Sequence, residues 1–226
     1  MDQRIGIVYE DDALIVCHKH PGIAVQTAAP GQADMVSELK KYLAQKCGSN
    51  PYLAVVHRLD QPVEGLLVFA KTKEAAAFLS EQVQNPGDGF CKEYTAKVYG
   101  KMPQPEGELV DHLVKDARSN TSRVVSEKDK NGKKSVLYYE VTGETEQTQT
   151  LRIRLKTGRH HQIRVQLSHA GCPILGDTRY GTEDAKRYAS EQGIRQLCLC
   201  ASRLEFTHPV SKKRMKYSIG QNGNLR

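Results

Sequence analysis

The chain has 226 residues, of which 38% are hydrophobic and 26% are charged, and this composition excludes disordered, collagen-like and disulfide-scaffold proteins. No apolar run approaches the roughly 18 residues that a membrane helix needs. The net charge of +7 is uneven, because residues 1–150 carry 18 basic and 21 acidic side chains, whereas residues 151–226 carry 15 basic and 5 acidic ones. The basic last third indicates a polyanionic partner, nucleic acid first, unless it is simply a solvated basic surface.

The N-terminus is charged and lacks the apolar segment of a signal peptide. The six cysteines include no C-x-x-C pair, and the pair Cys198 and Cys200 lies in an apolar strand pattern. We therefore expect a soluble, cytoplasmic protein with reduced cysteines and without a bound metal.

In the first half of the chain, apolar residues at helical spacing predict two helices. The first lies between Asp34, which is placed to cap it, and Gly48, which stops it. The second follows Thr72 and ends at the sequence Asn85-Pro86-Gly87. Strand-like runs lie around these helices at 5–9, 14–17, 52–56 and 66–70, and the first two are predicted to form a hairpin.

In the second half, alternating apolar and polar residues predict half-buried strands. Leu151 and Ile153 face one way while Arg152 and Arg154 face the other, which makes a basic sheet face. Because the strands and helices lack a regular βαβ rhythm and no long linker is visible, we expect a single α+β domain over residues 1–226. The predicted strands are 93–99, 135–141, 151–156, 197–206 and 215–219, and the predicted helices follow Gly158 and cover about 183–192.

The segment His57-Arg58-Leu59-Asp60 is predicted to be a loop between two apolar strands. Loops held by rigid strands are common positions for catalytic groups. Asp60 is a candidate base, nucleophile or metal ligand, although a single Asp in a loop more often forms a turn.

A second candidate segment runs from Thr157 to Arg164, where a glycine turn is expected to feed a helix. Free N–H groups at a helix start attract anions, and Arg159 would strengthen the attraction to phosphate. Adjacent histidines on a helix point to different faces, so His160 and His161 are not expected to share a metal. Tyr94 lies in a charged strand, where most tyrosines serve packing alone.

Taken in order, HRLDQPVEGLLVFAKT (57–72), KEYTAKVYG (92–100) and TGRHHQIRVQLSHAGCPILGDTRYG (157–181) closely resemble the RluA family of RNA pseudouridine synthases. The resemblance extends over nearly the whole chain. It implies a mixed, mostly antiparallel central sheet with flanking helices and a central catalytic cleft. Many members carry an N-terminal S4 domain, and this sequence resembles the short type without one.

The resemblance implies a role for individual residues. Asp60 matches the catalytic carboxylate, Arg164 the arginine that pairs with it, and Tyr94 the tyrosine that stacks on the target base. The RNA-binding candidates are Arg58, which matches the residue that occupies the vacated base stack, and Arg152, Arg154, Arg159 and His161.

The implied partner is rRNA or tRNA, with no DNA, no membrane, no cofactor and no metal, and the protein is expected to be a monomer. The alternative is a non-catalytic ribosome assembly factor or RNA chaperone on the same fold. One departure stands out, because many members have Thr-Ser-Gly where this chain has Val63-Glu64-Gly65.

Overall fold

A computed structural model describes residues 1–27, 29, 31–48, 50–85 and 89–220. The chain divides into two compact units, one formed by Met1–Lys92 with Ala201–Arg226 and the other by Glu93–Cys200. Pro86 and Gly87, expected to end the second helix, lie outside the described residues. Within the described part, no helix is both long enough and apolar enough to cross a membrane.

The described residues form eleven strands and four helices, which confirms the α+β class. In chain order the elements are β1 (Ile5–Glu10), β2 (Leu14–Lys19), α1 (Met35–Cys47), β3 (Ala54–Val55), β4 (Glu64–Ala70), α2 (Lys73–Gln84), β5 (Phe90–Tyr99), β6 (Glu106–Asp116), β7 (Thr121–Val125), β8 (Lys133–Glu144), β9 (Thr148–Leu155), α3 (Gln162–His169), α4 (Glu183–Glu191), β10 (Leu199–Thr207) and β11 (Arg214–Ser218).

The first unit is built on strands in the order β1-β2-β4-β10, with β3 paired to β4 and β11 paired to β10. The hairpin of β1 and β2 is antiparallel, as the sequence predicts. All six residues of β2 are buried, so both faces of this strand are covered. On one face, Leu14, Val16, Leu66 and Val68 pack in one cluster with Leu79 of α2.

The two helices of this unit begin where their caps predict. Asp34 accepts a hydrogen bond from the Ser37 amide at 2.7 Å, and Gly48 ends α1 with a left-handed φ of 65°. Thr72 accepts from the Ala75 amide and caps α2. The predicted strand at 52–56 is reduced to the two residues of β3.

The second unit contains strands in the order β5-β9-β8-β6-β7, and each neighbouring pair is antiparallel. Leu151 and Ile153 are fully buried, whereas Arg152 and Arg154 lie on the more exposed face, so the predicted alternation is confirmed. The sequence pattern does not predict β6 or β7, because β6 carries charged residues along much of its length and β7 has only five residues.

The start of α3 corrects the sequence analysis. The helix begins at Gln162 rather than directly after Gly158, so Arg159 precedes the first turn instead of belonging to it. His161 occupies the N-cap with a left-handed φ of 54° and makes no side-chain cap hydrogen bond. The helix of 183–192 is confirmed as α4, capped by Thr182.

Candidate functional site

The loop that carries Asp60 lies in the first unit, between β3 and β4. A turn closes it, because the Val63 amide donates to the Asp60 carbonyl at 3.0 Å. Along the loop, Arg58 is exposed, Leu59 is buried and Asp60 is half-buried. Asp60 therefore keeps partial exposure, on a short segment with both ends in one sheet.

His57 anchors the start of this loop. Its Nε2 accepts a hydrogen bond from the Val68 amide of β4 at 3.3 Å, and its ring meets Phe90 edge-on at 5.5 Å. Burial, helped by Lys92, holds the pKa of His57 well below its usual range. Among the described residues its buried Nδ1 has no hydrogen-bond partner. A neutral imidazole wedged into the core is a structural anchor rather than a proton carrier.

Lys19 anchors the end of the same loop, although no sequence motif marks it as a functional residue. Its side chain is fully buried. The ammonium donates to the carbonyls of His20, Gln61 and Val63 at 3.2, 2.9 and 2.7 Å. Burial lowers its pKa to about 8, against the opposing charges of Asp60 and Glu64. The lysine thus holds the backbone directly after Asp60, and its one signal was a charge at the end of an apolar strand.

The departure at residues 63–65 has a structural counterpart. Glu64 replaces a small hydroxyl residue of the family pattern and contacts His18, with Nε2 and Oε1 2.8 Å apart. Gly65 has a φ of 144°, and a Cβ there would lie 2.5 Å from Cβ and 2.6 Å from N of Ala201. The retained glycine is therefore required by the close approach of β4 to Ala201.

Tyr94 lies in the second unit, buried on β5 opposite Ile153 of β9. The residue before it, Glu93, accepts a hydrogen bond from Arg154 Nε at 2.6 Å. This strand pairing fixes the backbone on both sides of the tyrosine.

Arg164 also lies in the second unit, on α3, and is almost fully buried. It donates from Nε and Nη2 to the two carboxylate oxygens of Asp177, at 2.7 and 2.8 Å. Its guanidinium carbon lies 5.0 Å from the centre of the Tyr180 ring. Burial raises the pKa of Asp177, but the hydrogen bonds from Arg164 and from backbone amides outweigh it, so the net pKa is lowered.

A network around Tyr180 extends this cluster. Its hydroxyl accepts from the Ser122 amide at 2.8 Å and contacts His161 Nδ1 at 2.7 Å. His160 stacks on His161 with ring centres 3.7 Å apart. Burial, followed by the charge of Arg164, lowers the pKa of His161 to about 3. His161 is consequently neutral at physiological pH and brings no permanent charge to a phosphate.

The basic residues predicted to bind RNA differ in whether an acidic side chain of the protein neutralises their charge. Arg152 pairs with Glu140 at 3.0 Å and Arg154 pairs with Glu93, so the basic sheet face is partly neutralised. Arg159 is exposed and its Nε donates to the Lys134 carbonyl at 3.3 Å. Asp60 and Arg58 belong to the first unit, whereas Tyr94, Arg164 and the remaining basic candidates belong to the second.

Comparisons with known proteins show which family and which fold the chain is similar to. The family model described as RNA pseudouridylate synthase matches residues 13–169. The chain is 34% identical to ribosomal large subunit pseudouridine synthase C of Buchnera aphidicola, over 90% of this chain and 63% of that protein. It is 33% identical to synthase D of Vibrio cholerae, over 96% of this chain and 67% of that protein.

The chain thus spans about two thirds of the length of these curated relatives. Among solved structures, human RNA pseudouridylate synthase domain containing 1 superposes with a TM-score of 0.75. That match covers 96% of this chain and 83% of the human one at 20% identity, which shows the shared fold.

Proposed function

Because the chain belongs to the RluA family of RNA pseudouridine synthases, we propose that it isomerises uridine to pseudouridine in RNA. The family match over residues 13–169 carries this proposal, and that span contains Asp60, Tyr94 and Arg164. The names of the relatives support RNA of the large ribosomal subunit as the substrate in preference to tRNA.

In the reaction we propose, the N1–C1′ bond of the uridine breaks, the uracil turns, and a C5–C1′ bond forms. The proton on C5 is then lost and N1 gains one, so that the product is an isomer of the substrate. The base is never released, so no water needs activation and the paired carboxylates of glycoside hydrolases are unnecessary. Asp60 is the carboxylate, acting either as a nucleophile at C1′ or as a base at C2′. Both routes need an ionised Asp60.

Arg164 is proposed as the partner that keeps Asp60 ionised, since a nearby cation lowers the pKa of a carboxylate. Support comes from the family motif and from the rigidity of this side chain. Asp177 fixes the plane of the guanidinium through two hydrogen bonds. A guanidinium has five N–H donors, so this bidentate pair does not exhaust its capacity.

Tyr94 is proposed to stack on the uracil after the base has left the RNA helix. A base inside a duplex is unreachable, and flipping it out costs a few kcal/mol. Arg58 is proposed to occupy the vacated position, which its exposure on the Asp60 loop supports. The arginine would then offset part of the lost stacking.

Phosphate binding is assigned chiefly to Arg159, with smaller shares for Arg152 and Arg154 because each has an acidic partner within the sheet. His161 is proposed to contact RNA as a neutral hydrogen-bonding group. We further propose that the protein acts in the cytoplasm as a monomer and needs no cofactor or metal for isomerisation.

Pseudouridine mapping on total RNA tests the proposal in cells that lack the gene. The cells are complemented with the wild-type protein or with Asp60→Ala. Sites that disappear and return only with the wild type would establish the activity, the target RNA and the role of Asp60. Unchanged sites, with ribosomal subunit profiles rescued by both proteins, would instead establish the non-catalytic assembly factor.

A further inference from the structure

His18, His20 and Glu64 bring three metal-binding side chains together in the first unit. One ligand atom from each residue lies within 4.8 Å of the other two. The His18 Nε2 and Glu64 Oε1 atoms are 2.8 Å apart, and the two imidazole rings have centres 4.3 Å apart. The function proposed above uses none of these side chains.

The sheet geometry explains why the three converge. His18 lies in β2 and His20 is the first residue after it, so the two side chains, two positions apart, leave the same face of the extended chain. The antiparallel register pairs His18 with Leu66 and Lys19 with Gly65, which places Glu64 opposite His20. Lys19 points to the other face, where its ammonium is bonded to backbone carbonyls. The ammonium of Lys19 is therefore held against these carbonyls, although its charge still acts on Glu64.

We propose that this cluster binds a divalent transition-metal ion, with Zn²⁺ as the best match. Two imidazole nitrogens and one carboxylate oxygen form a ligand set that zinc uses at sites with an open fourth position. Zinc needs its ligands at about 2.0–2.2 Å, which puts the donor atoms a little over 3 Å from one another, so His18 Nε2 and Glu64 Oε1 must separate slightly and the wider pairs must approach.

Binding would join two segments that matter for the Asp60 loop. Glu64 is the first residue after that loop, and His18 lies on the neighbouring strand. A bound ion would therefore fix the end of the loop to β2, in addition to the hydrogen bonds from Lys19. It would act as a stabilising ligand outside the isomerisation chemistry.

The test uses the reduced, chelator-treated full-length protein titrated with Co²⁺ and then with Zn²⁺. We expect one Co²⁺ per chain, with the strong visible absorption of a four- or five-coordinate ion that Zn²⁺ abolishes. Zn²⁺ in excess over its dissociation constant should raise the melting temperature, since a ligand specific for the folded state stabilises it. Mg²⁺, which prefers oxygen ligands, should leave both signals unchanged.

Substitutions in the cluster test whether these side chains are the metal ligands. His20→Ala and Glu64→Gln, on separate strands, should each weaken Zn²⁺ binding at least about tenfold, because even residues behind a ligand contribute about 10–100-fold to metal affinity. His112→Ala on β6 removes a histidine elsewhere and should bind as the wild type does. The proposal is overturned if both cluster variants bind normally, if the wild type does not bind, or if a thiolate-to-cobalt absorption band shows cysteine ligation.

Discussion

Arg164 and Asp177 form a buried two-point ion pair that links α3 to the segment after it in the second unit. The carboxylate also accepts hydrogen bonds from the amides of Arg179 and Tyr180, at 3.0 and 3.1 Å. Both partners of the pair are nearly inaccessible to solvent. The direction of the guanidinium is therefore set by the protein itself, independently of any bound RNA.

Removing Asp177 should be costly, because a buried guanidinium then loses two charge-assisted hydrogen bonds. We expect Asp177→Ala to lower the free energy of unfolding by about 3–5 kcal/mol. Glu140→Ala, which removes the partner of the exposed Arg152, should cost no more than about 1 kcal/mol. Urea unfolding of the two variants gives the comparison, and equal losses would contradict the importance of the buried pair.

His161 should make stability depend on pH. Its pKa is about 3 in the folded state and near 6.5 when exposed, so below pH 6.5 the unfolded chain gains a proton that the folded chain does not. Stability should therefore decrease as the pH falls from 6.5 toward 3, by up to about 1.4 kcal/mol per pH unit.

His161→Asn tests this dependence, because asparagine tolerates the left-handed backbone at this position. The variant should show a flatter decrease in unfolding free energy between pH 7 and pH 5 than the wild type does. The same substitution at His112 is the control. If the unfolding free energy of His161→Asn depends on pH as steeply as that of the wild type, groups other than His161 control the loss of stability at low pH.

Lys19→Met should lower the turnover number, although Lys19 is far from Asp60 in the sequence. The change leaves the carbonyls of His20, Gln61 and Val63 without their shared donor, at a cost of about 1–3 kcal/mol. We expect a lower turnover number, with RNA affinity retained, because the Asp60 loop loses its support. Lys71→Met removes a lysine that bonds Glu10 and the Asp11 carbonyl instead, so it should affect stability alone. Equal turnover losses in both variants would refute the positioning role.

Asp60 and Arg159 should affect different properties, Asp60 the rate of the chemical step and Arg159 the affinity for RNA. Asp60→Asn should abolish turnover while RNA affinity stays within about tenfold, since phosphate contacts supply most of the affinity. Arg159→Ala should weaken binding and reduce the slope of log affinity against log salt by about one per lost phosphate contact. Filter binding over a salt series, combined with single-turnover assays, measures both effects. A comparable loss of affinity in the two variants would contradict this division.

The caps explain why some elements were predictable and others were not. Asp34 caps α1 through a local hydrogen bond, and Gly48 ends it through a left-handed backbone conformation. Both ends can therefore be predicted from the residues nearby. Strand β6 lacks such a signal, because its Glu106, Glu108 and Asp111 replace the apolar residues by which strands are recognised.

The candidate site shows the same limit. Motifs predict Asp60, Tyr94 and Arg164 as site residues. The contacts of Lys19 are tertiary, and although Asp177 lies in the same motif segment as Arg164, residues 157–181, that motif does not reveal their pairing. Lys19 reaches carbonyls more than 40 positions away along the chain, and Asp177 lies 13 residues from Arg164. The spacing of a buried ion pair depends on how intervening segments fold, so sequence periodicity does not reveal it.

The support that Lys19 gives the Asp60 loop has a consequence for hydrogen exchange. Gly22 donates its amide to the Gln61 carbonyl at 2.9 Å, and Gln61 Nε2 donates to the Gly22 carbonyl at 3.1 Å. Within the loop, the turn from Val63 to Asp60 is short and has little stability of its own. The Gly22 and Val63 amides should thus become exchangeable in the same opening event. The shape of the loop is then a cooperative property shared with the end of β2 rather than a local property of residues 57–63.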